Sequence, residues 1–136
     1  MRRIVIVGPW GAGKSRLAAE LACALCAPIV EQDPLYWRAG WIPTPAGEYL
    51  ASVAAATSGD SWVADGNFSS ARDIVWARAD TLVWLDYSFP LAFWRLASRQ
   101  IRRVVTRQVL WHGNREHISE LFRPRSLLWQ LPARYP

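Results

Sequence analysis

The sequence predicts an α/β fold built on a parallel sheet with helices on both faces. Three observations carry this. Short apolar runs alternate with segments of helical period, the pattern of βα units joined by right-handed crossovers. The first apolar run passes through a glycine-rich turn straight into a helix. The chain has 136 residues, 51% hydrophobic and 20% charged, which suits one domain with its own core and argues against disorder.

The elements follow in order. Residues 3–7 read as a short buried strand and residues 8–13 as a turn. Residues 15–26 have helical composition, with Leu17, Leu21 and Leu25 four apart. Residues 28–32 are a candidate second strand, and residues 33–45, rich in Pro, Gly and Trp, a loop. Residues 46–57 form a predicted helix ended by Ser58-Gly59. Residues 61–64 are a third strand, followed by the turn Asp65-Gly66-Asn67. Residues 70–79 are a helix, 81–85 a fourth strand, 90–105 a helix, 111–114 a loop, and roughly 116–131 a last helix interrupted at Pro124. Ligands of such sheets bind at the carboxyl ends of the strands. Gly8, Asp33, Asp65 and Asp86 each follow a candidate strand, so this rule gathers them at one rim.

Composition narrows the function classes. No apolar run reaches the ~18 residues of a membrane helix, and the first, residues 4–7, is too short for a signal peptide. The expectation is a cytoplasmic protein with no membrane partner. Cys23 and Cys26 cannot make a disulfide framework, and inside the first helix they read as two buried residues. His112 and His117 lack the pattern of a zinc site and read as surface or lid positions. Charge is uneven. Residues 1–94 carry a net −2 and residues 95–136 a net +7. The basic last third predicts an anionic partner, either nucleotide phosphates or nucleic acid, or else a solvated arginine face.

The most specific signal is Gly8-Pro9-Trp10-Gly11-Ala12-Gly13-Lys14-Ser15. It fits G-x-x-x-x-G-K-[ST] between a strand and a helix. Glycines let backbone close around phosphate oxygens. The amides of Gly11, Ala12, Gly13, Lys14, Ser15 and Arg16 can form an anion nest at a positive helix end. Lys14 supplies a compact charge for the β- and γ-phosphates, and the Ser15 hydroxyl a ligand for Mg²⁺. Of the 16 basic residues, Lys14 is the only lysine. A point charge suits such a pocket better than a planar guanidinium.

With this loop, the segment Asp33-Pro34-Leu35-Tyr36-Trp37-Arg38 with Gly40-Trp41, the turn Asp65-Gly66-Asn67-Phe68, Leu85-Asp86 and Gly113-Asn114-Arg115-Glu116, the chain resembles P-loop kinases of the adenylate-kinase-like group. The likeness is strongest to small bacterial adenylate-kinase-related or DNA topology modulation proteins. The resemblance implies a three-layer P-loop NTPase fold, a parallel sheet ordered 2-3-1-4-5, and ATP as the nucleotide. The chain ends at Tyr135-Pro136, where the resemblance would continue into a fifth strand. The expectation is therefore one domain over residues 1–136, truncated at its C-terminus, with order 2-3-1-4 and a lid around residues 106–118.

The resemblance also assigns residues. Asp65 would organise Mg²⁺ beside Ser15, or it simply starts a turn before Gly66. Arg95 and Arg99 would face the nucleotide and stabilise a transferring phosphoryl group, while Arg102 and Arg103 could equally be an exposed face. Arg115 looks like a lid arginine that closes on the phosphates. Asp33 could take the proton of an attacking hydroxyl or stabilise a turn before Pro34. Tyr36, Trp37 and Trp41 could wall a ring-bearing acceptor or be ordinary packing, and Arg72 could hold an anionic acceptor. The adenylate kinase Pro-Arg after the Asp-Gly turn is replaced by Asn67-Phe68-Ser69, which argues against AMP. The expected function is an ATP-dependent phosphotransferase with an unidentified small-molecule acceptor. The alternatives are a nucleotide-switched regulator associated with DNA and a catalytically inactive nucleotide-binding remnant.

Overall fold

The computed structural model describes residues 1–117 and Ser119. The helix expected over roughly 116–131 lies, beyond its first residues, outside those described. The order of elements is β1 (Arg3–Val7), α1 (Lys14–Leu25), β2 (Ile29–Glu31), α2 (Gln32–Tyr36), β3 (Trp37–Arg38), a 3₁₀ turn (Ala39–Trp41) and β4 (Ile42–Pro43). There follow α3 (Ala46–Ala56), β5 (Trp62–Asp65), α4 (Arg72–Arg78), β6 (Thr81–Trp84), α5 (Phe89–Val105) and a second 3₁₀ turn (Trp111–Gly113).

Four strands form a parallel sheet in the order β2-β5-β1-β6. Its alternating side chains feed two cores, as period-two geometry requires. Val5, Val7, Trp62 and Ala64 pack with Tyr49 and Val53 of α3 and Val75 of α4 on one face. Ile4, Ile6 and Val63 pack with Ala18 and Ala22 of α1 on the other. Among the described residues β6 pairs with β1 alone, and its Leu82 and Trp84 remain exposed.

Two expectations are corrected here. Residues 33–45 are a loop neither in hydrogen bonding nor in shape. Pro34 sits in the first turn of α2, where its missing N–H costs nothing, and β3 and β4 form a small antiparallel hairpin across Gly40. The period is too short in each piece to read from sequence. Cys23 and Cys26 are both exposed. The buried stripe of α1 passes through Ala18 and Ala22, which turns Cys23 outward, and Cys26 lies past the helix as a left-handed C-terminal cap.

Candidate active site

The loop after β1 and the carboxyl ends of β2 and β5 enclose a cleft of about 330 Å³. Its floor is the glycine loop. Gly11 has φ +81°, and a Cβ there would stand 2.2 Å from the carbonyl oxygen of Ala92 in α5. Only glycine lets that loop pass so close under the helix. Gly13, at φ +84°, caps α1, and no side chain bonds the first turn. The amides of that turn have no partner inside the helix. Gly11, Gly13, Lys14, Ser15 and Arg16 all line the cleft. Lys14 Nζ donates to the carbonyl oxygens of Gly8 (3.0 Å) and Pro9 (2.9 Å). Burial lowers its pKa, and nearby Arg99 pushes the same way while Asp65 and Asp33 oppose.

Carboxylates form the facing wall. Asp65 ends β5 and is the register partner both of Ile6 in β1 and of Glu31 in β2. Glu31 and Asp33 flank Gln32 at the end of β2, and all four polar side chains line the cleft. Burial raises the pKa of Asp33, with Asp65 adding to it and Arg99, Lys14 and Arg103 opposing. Glu31 is raised by burial and then by Asp65 and Asp33. Gln32 also fixes the wall, because its Oε1 accepts the N–H of Phe68 at 2.6 Å. Asn67 ties it to the loop through its Oδ1, which accepts the N–H of Gly8 at 3.1 Å.

One guanidinium enters from α5. Arg99 lines the cleft, and its Nε is buried without a hydrogen-bond partner among the described residues. Burial and Arg103 lower its pKa. Arg95 lies over the ring of Tyr87 at 5.0 Å, with Nη1 3.9 Å from where a Gly13 Cβ would stand. Arg103 pairs with Glu116 at 3.2 Å, both side chains 15% exposed, and lies over Trp111. Arg102 is exposed.

Residues 111–116 rest on the β3–β4 hairpin. The Asn114 side chain is buried and accepts the N–H groups of Gly40 (2.7 Å) and Trp41 (3.2 Å), while donating to the carbonyl of Arg38 (2.9 Å). Trp111, from this segment, lines the cleft.

The sequence candidates thus divide. Gly11, Gly13, Lys14, Ser15, Arg16, Asp33, Asp65 and Arg99 line one cleft. Gly8 and Ala12 are buried behind it, the Gly8 amide held by Asn67 and the Ala12 amide by the carbonyl of Pro9. Arg95 lies at the loop's edge. Arg115 is exposed, and its carbonyl, rather than its guanidinium, makes the contact, accepting from Trp41 Nε1 at 3.1 Å. Asp86 is exposed and outside the lining. Tyr36, Trp37 and Trp41 pack edge-on in a chain that runs to Tyr49 at one end and Trp111 at the other, and none of the three lines the cleft. Arg72 lies over Trp76. Glu31, Gln32 and Trp111 join the lining without having been singled out, as do Trp10 and Asn67, which were quoted within motifs but given no role. Only Glu31 had a signal, its spacing of two from Asp33 at a strand's end.

The donor set suits a polyphosphate and a hard divalent cation. The guanidinium of Arg99, a lining residue, and the uncapped first turn of α1 are both anion donors at the cleft. Among the described residues no three His, Cys, Asp or Glu side chains gather as metal ligands. A Mg²⁺ ion needs fewer, since it keeps waters and shares phosphate oxygens. Ser15 and Asp65 are hard oxygen donors on the same cleft.

No family model matches the chain, and no curated protein does. Among solved structures, the crystal structure of a gluconokinase from Sinorhizobium meliloti 1021 matches with a TM-score of 0.57 and 21% sequence identity, over 99% of this chain and 75% of that one. The chain shares the fold of that kinase.

Proposed function

We propose that the protein is an ATP-dependent phosphotransferase acting on a small-molecule alcohol. The observation that carries this reading is Lys14, whose Nζ is held on the loop carbonyls inside a cleft that also contains Arg99 and a wall of carboxylates. A phosphate tail in the loop would receive the amides of Gly11 and of residues 13–16, the Ala12 amide being held by the Pro9 carbonyl, and would draw Lys14 and the Arg99 guanidinium onto its oxygens. Ser15, with Asp65 acting through water, would hold Mg²⁺. When bound, the ion neutralises charge on the phosphates.

Asp33 fits the proton acceptor. Its raised pKa makes it a better base than an ordinary carboxylate. The acceptor oxygen bonds to the γ-phosphorus as the bridging bond to the β-phosphate breaks. The bridging electron pair leaves with ADP, and the hydroxyl proton passes to Asp33. Arg99 lies where charge on the transferring group can be neutralised, and Arg95 stands beside the loop. The fold shared with a gluconokinase supports a kinase of this kind. A DNA-associated role draws less support, because Arg99 and Arg103 of the basic last third are turned into the protein.

The test is titration of Lys14→Ala with a fluorescent ATP analogue, alongside ADP release by the wild type. Loss of measurable binding in a folded variant is expected. Unchanged affinity would overturn the reading.

A further inference from the structure

The acceptor's charge class can be read from how the cleft partitions its ionic groups. Its cations are Lys14 and Arg16 at the start of α1, Arg16 also pairing with Glu20, and Arg99 of α5. Its far wall is Glu31, which ends β2, and Asp33, in the first turn of α2. β5 lies between β2 and β1, so wall and loop are roughly 10 Å apart, two strand spacings. Among the described residues the side chains of Glu31, Asp33 and Asp65 make no hydrogen bond and no direct ion pair, though Lys14 and Arg99 act on Asp33 and Asp65 from farther off. A triphosphate in the loop would engage the cations and leave none for a second anion.

The other arginines near this side are committed elsewhere. Arg38 pairs with Glu48. Arg72 lies over Trp76. Arg103 pairs with Glu116. The guanidinium of Arg115 is not part of the lining.

Building on the phosphotransferase reading, we infer that the acceptor is an alcohol carrying a protonated amine, with Glu31 holding the amine while Asp33 faces the hydroxyl, and that anionic acceptors are rejected. A carboxylate or phosphate on the acceptor would face these acids without a counter-charge. An ammonium would give the Glu31 carboxylate a partner and offset its repulsion from Asp65 and Asp33. This acceptor class is opposite in charge to a sugar acid.

The test uses two charge series on fixed skeletons: glucosamine, glucose and gluconate, then ethanolamine, ethylene glycol and glycolate. Saturation-transfer NMR measures their binding to the wild type with ADP and Mg²⁺. In at least one series the amine should bind about tenfold tighter than the neutral member, which corresponds to 1.4 kcal/mol, with the anion weakest. Glu31→Gln should remove the amine's advantage over the neutral member. Anions binding as well as amines, no charge dependence in either series, or an advantage that survives Glu31→Gln would each overturn the inference. The Lys14→Ala nucleotide titration reads the other half separately. An amine preference without nucleotide binding sinks phosphoryl transfer, and nucleotide binding without amine preference sinks the acceptor class.

Discussion

The Asn114 side chain binds the backbone of Gly40 across 74 positions of sequence, with Oδ1 accepting the Gly40 N–H at 2.7 Å. The same oxygen takes the Trp41 N–H, and Nδ2 reaches the Arg38 carbonyl. One buried amide therefore satisfies the tip of the β3–β4 hairpin and fixes the segment that carries Trp111 to the cleft. His112 adds a contact, its Nε2 3.1 Å from the Pro34 carbonyl.

Asn114→Ala should destabilise the protein by about 2 kcal/mol, because three backbone groups lose a buried partner. Asn114→Asp should recover only part of this, since it keeps an acceptor and loses the donor to Arg38. Urea unfolding of the two variants measures the difference. Equal midpoints for wild type and Asn114→Ala would show that the amide does not hold the segment.

Gly11→Ala should damage nucleotide binding more than folding. The new Cβ cannot remain 2.2 Å from the Ala92 oxygen, and φ +81° is strained for alanine, at a cost of roughly 1–3 kcal/mol. The loop must move off α5, which misplaces the amides that follow. ATP-analogue titration with a thermal melt of the same sample separates the two effects.

Asp33→Asn should raise stability at neutral pH while abolishing phosphoryl transfer. Asp33 has a folded pKa above its unfolded value of about 3.9. Its ionisation therefore works against folding once pH rises through the folded pKa, and is neutral to folding below the unfolded one. The stabilisation by Asn should fade as pH falls to roughly 4. Melts of both proteins across this range test the sign.

Asp80→Asn should behave oppositely. The Asp80 carboxylate accepts the N–H groups of Arg2 and Arg3 and the Thr81 hydroxyl, which draw its pKa down to about 2. Its contribution is present above the unfolded value of about 3.9 and is lost as pH falls through about 2. The variant should melt lower than wild type at pH 7, and the two curves should converge in strong acid.

Much of the sheet was legible because its strands are short apolar runs with turns behind them. The expected strand over residues 3–7 and the helix over 90–105 stand within a residue of β1 and α5. The hairpin over 37–43 was not legible, since its two-residue strands carry no period and are held by Asn114 from far along the chain. The exposure of Cys23 was hidden for a related reason. A helix of alanine and leucine has several faces apolar enough to bury, and the sheet selects one of them.

The order of residue types by itself determined the glycine loop, its lone lysine, and the alternation that makes a sheet with helices on both sides. These are local properties of torsion, charge and period. Which of the candidate acids and guanidiniums reach that loop, and that Glu31 joins them, was decided only by the tertiary structure. Strand order brings Asp65 between the ends of β1 and β2 and places Glu31 beside it, and helix packing sends Arg99 inward while Arg115 stays out. Contacts between residues far apart in sequence depend on how the chain crosses over, and crossings leave no local trace.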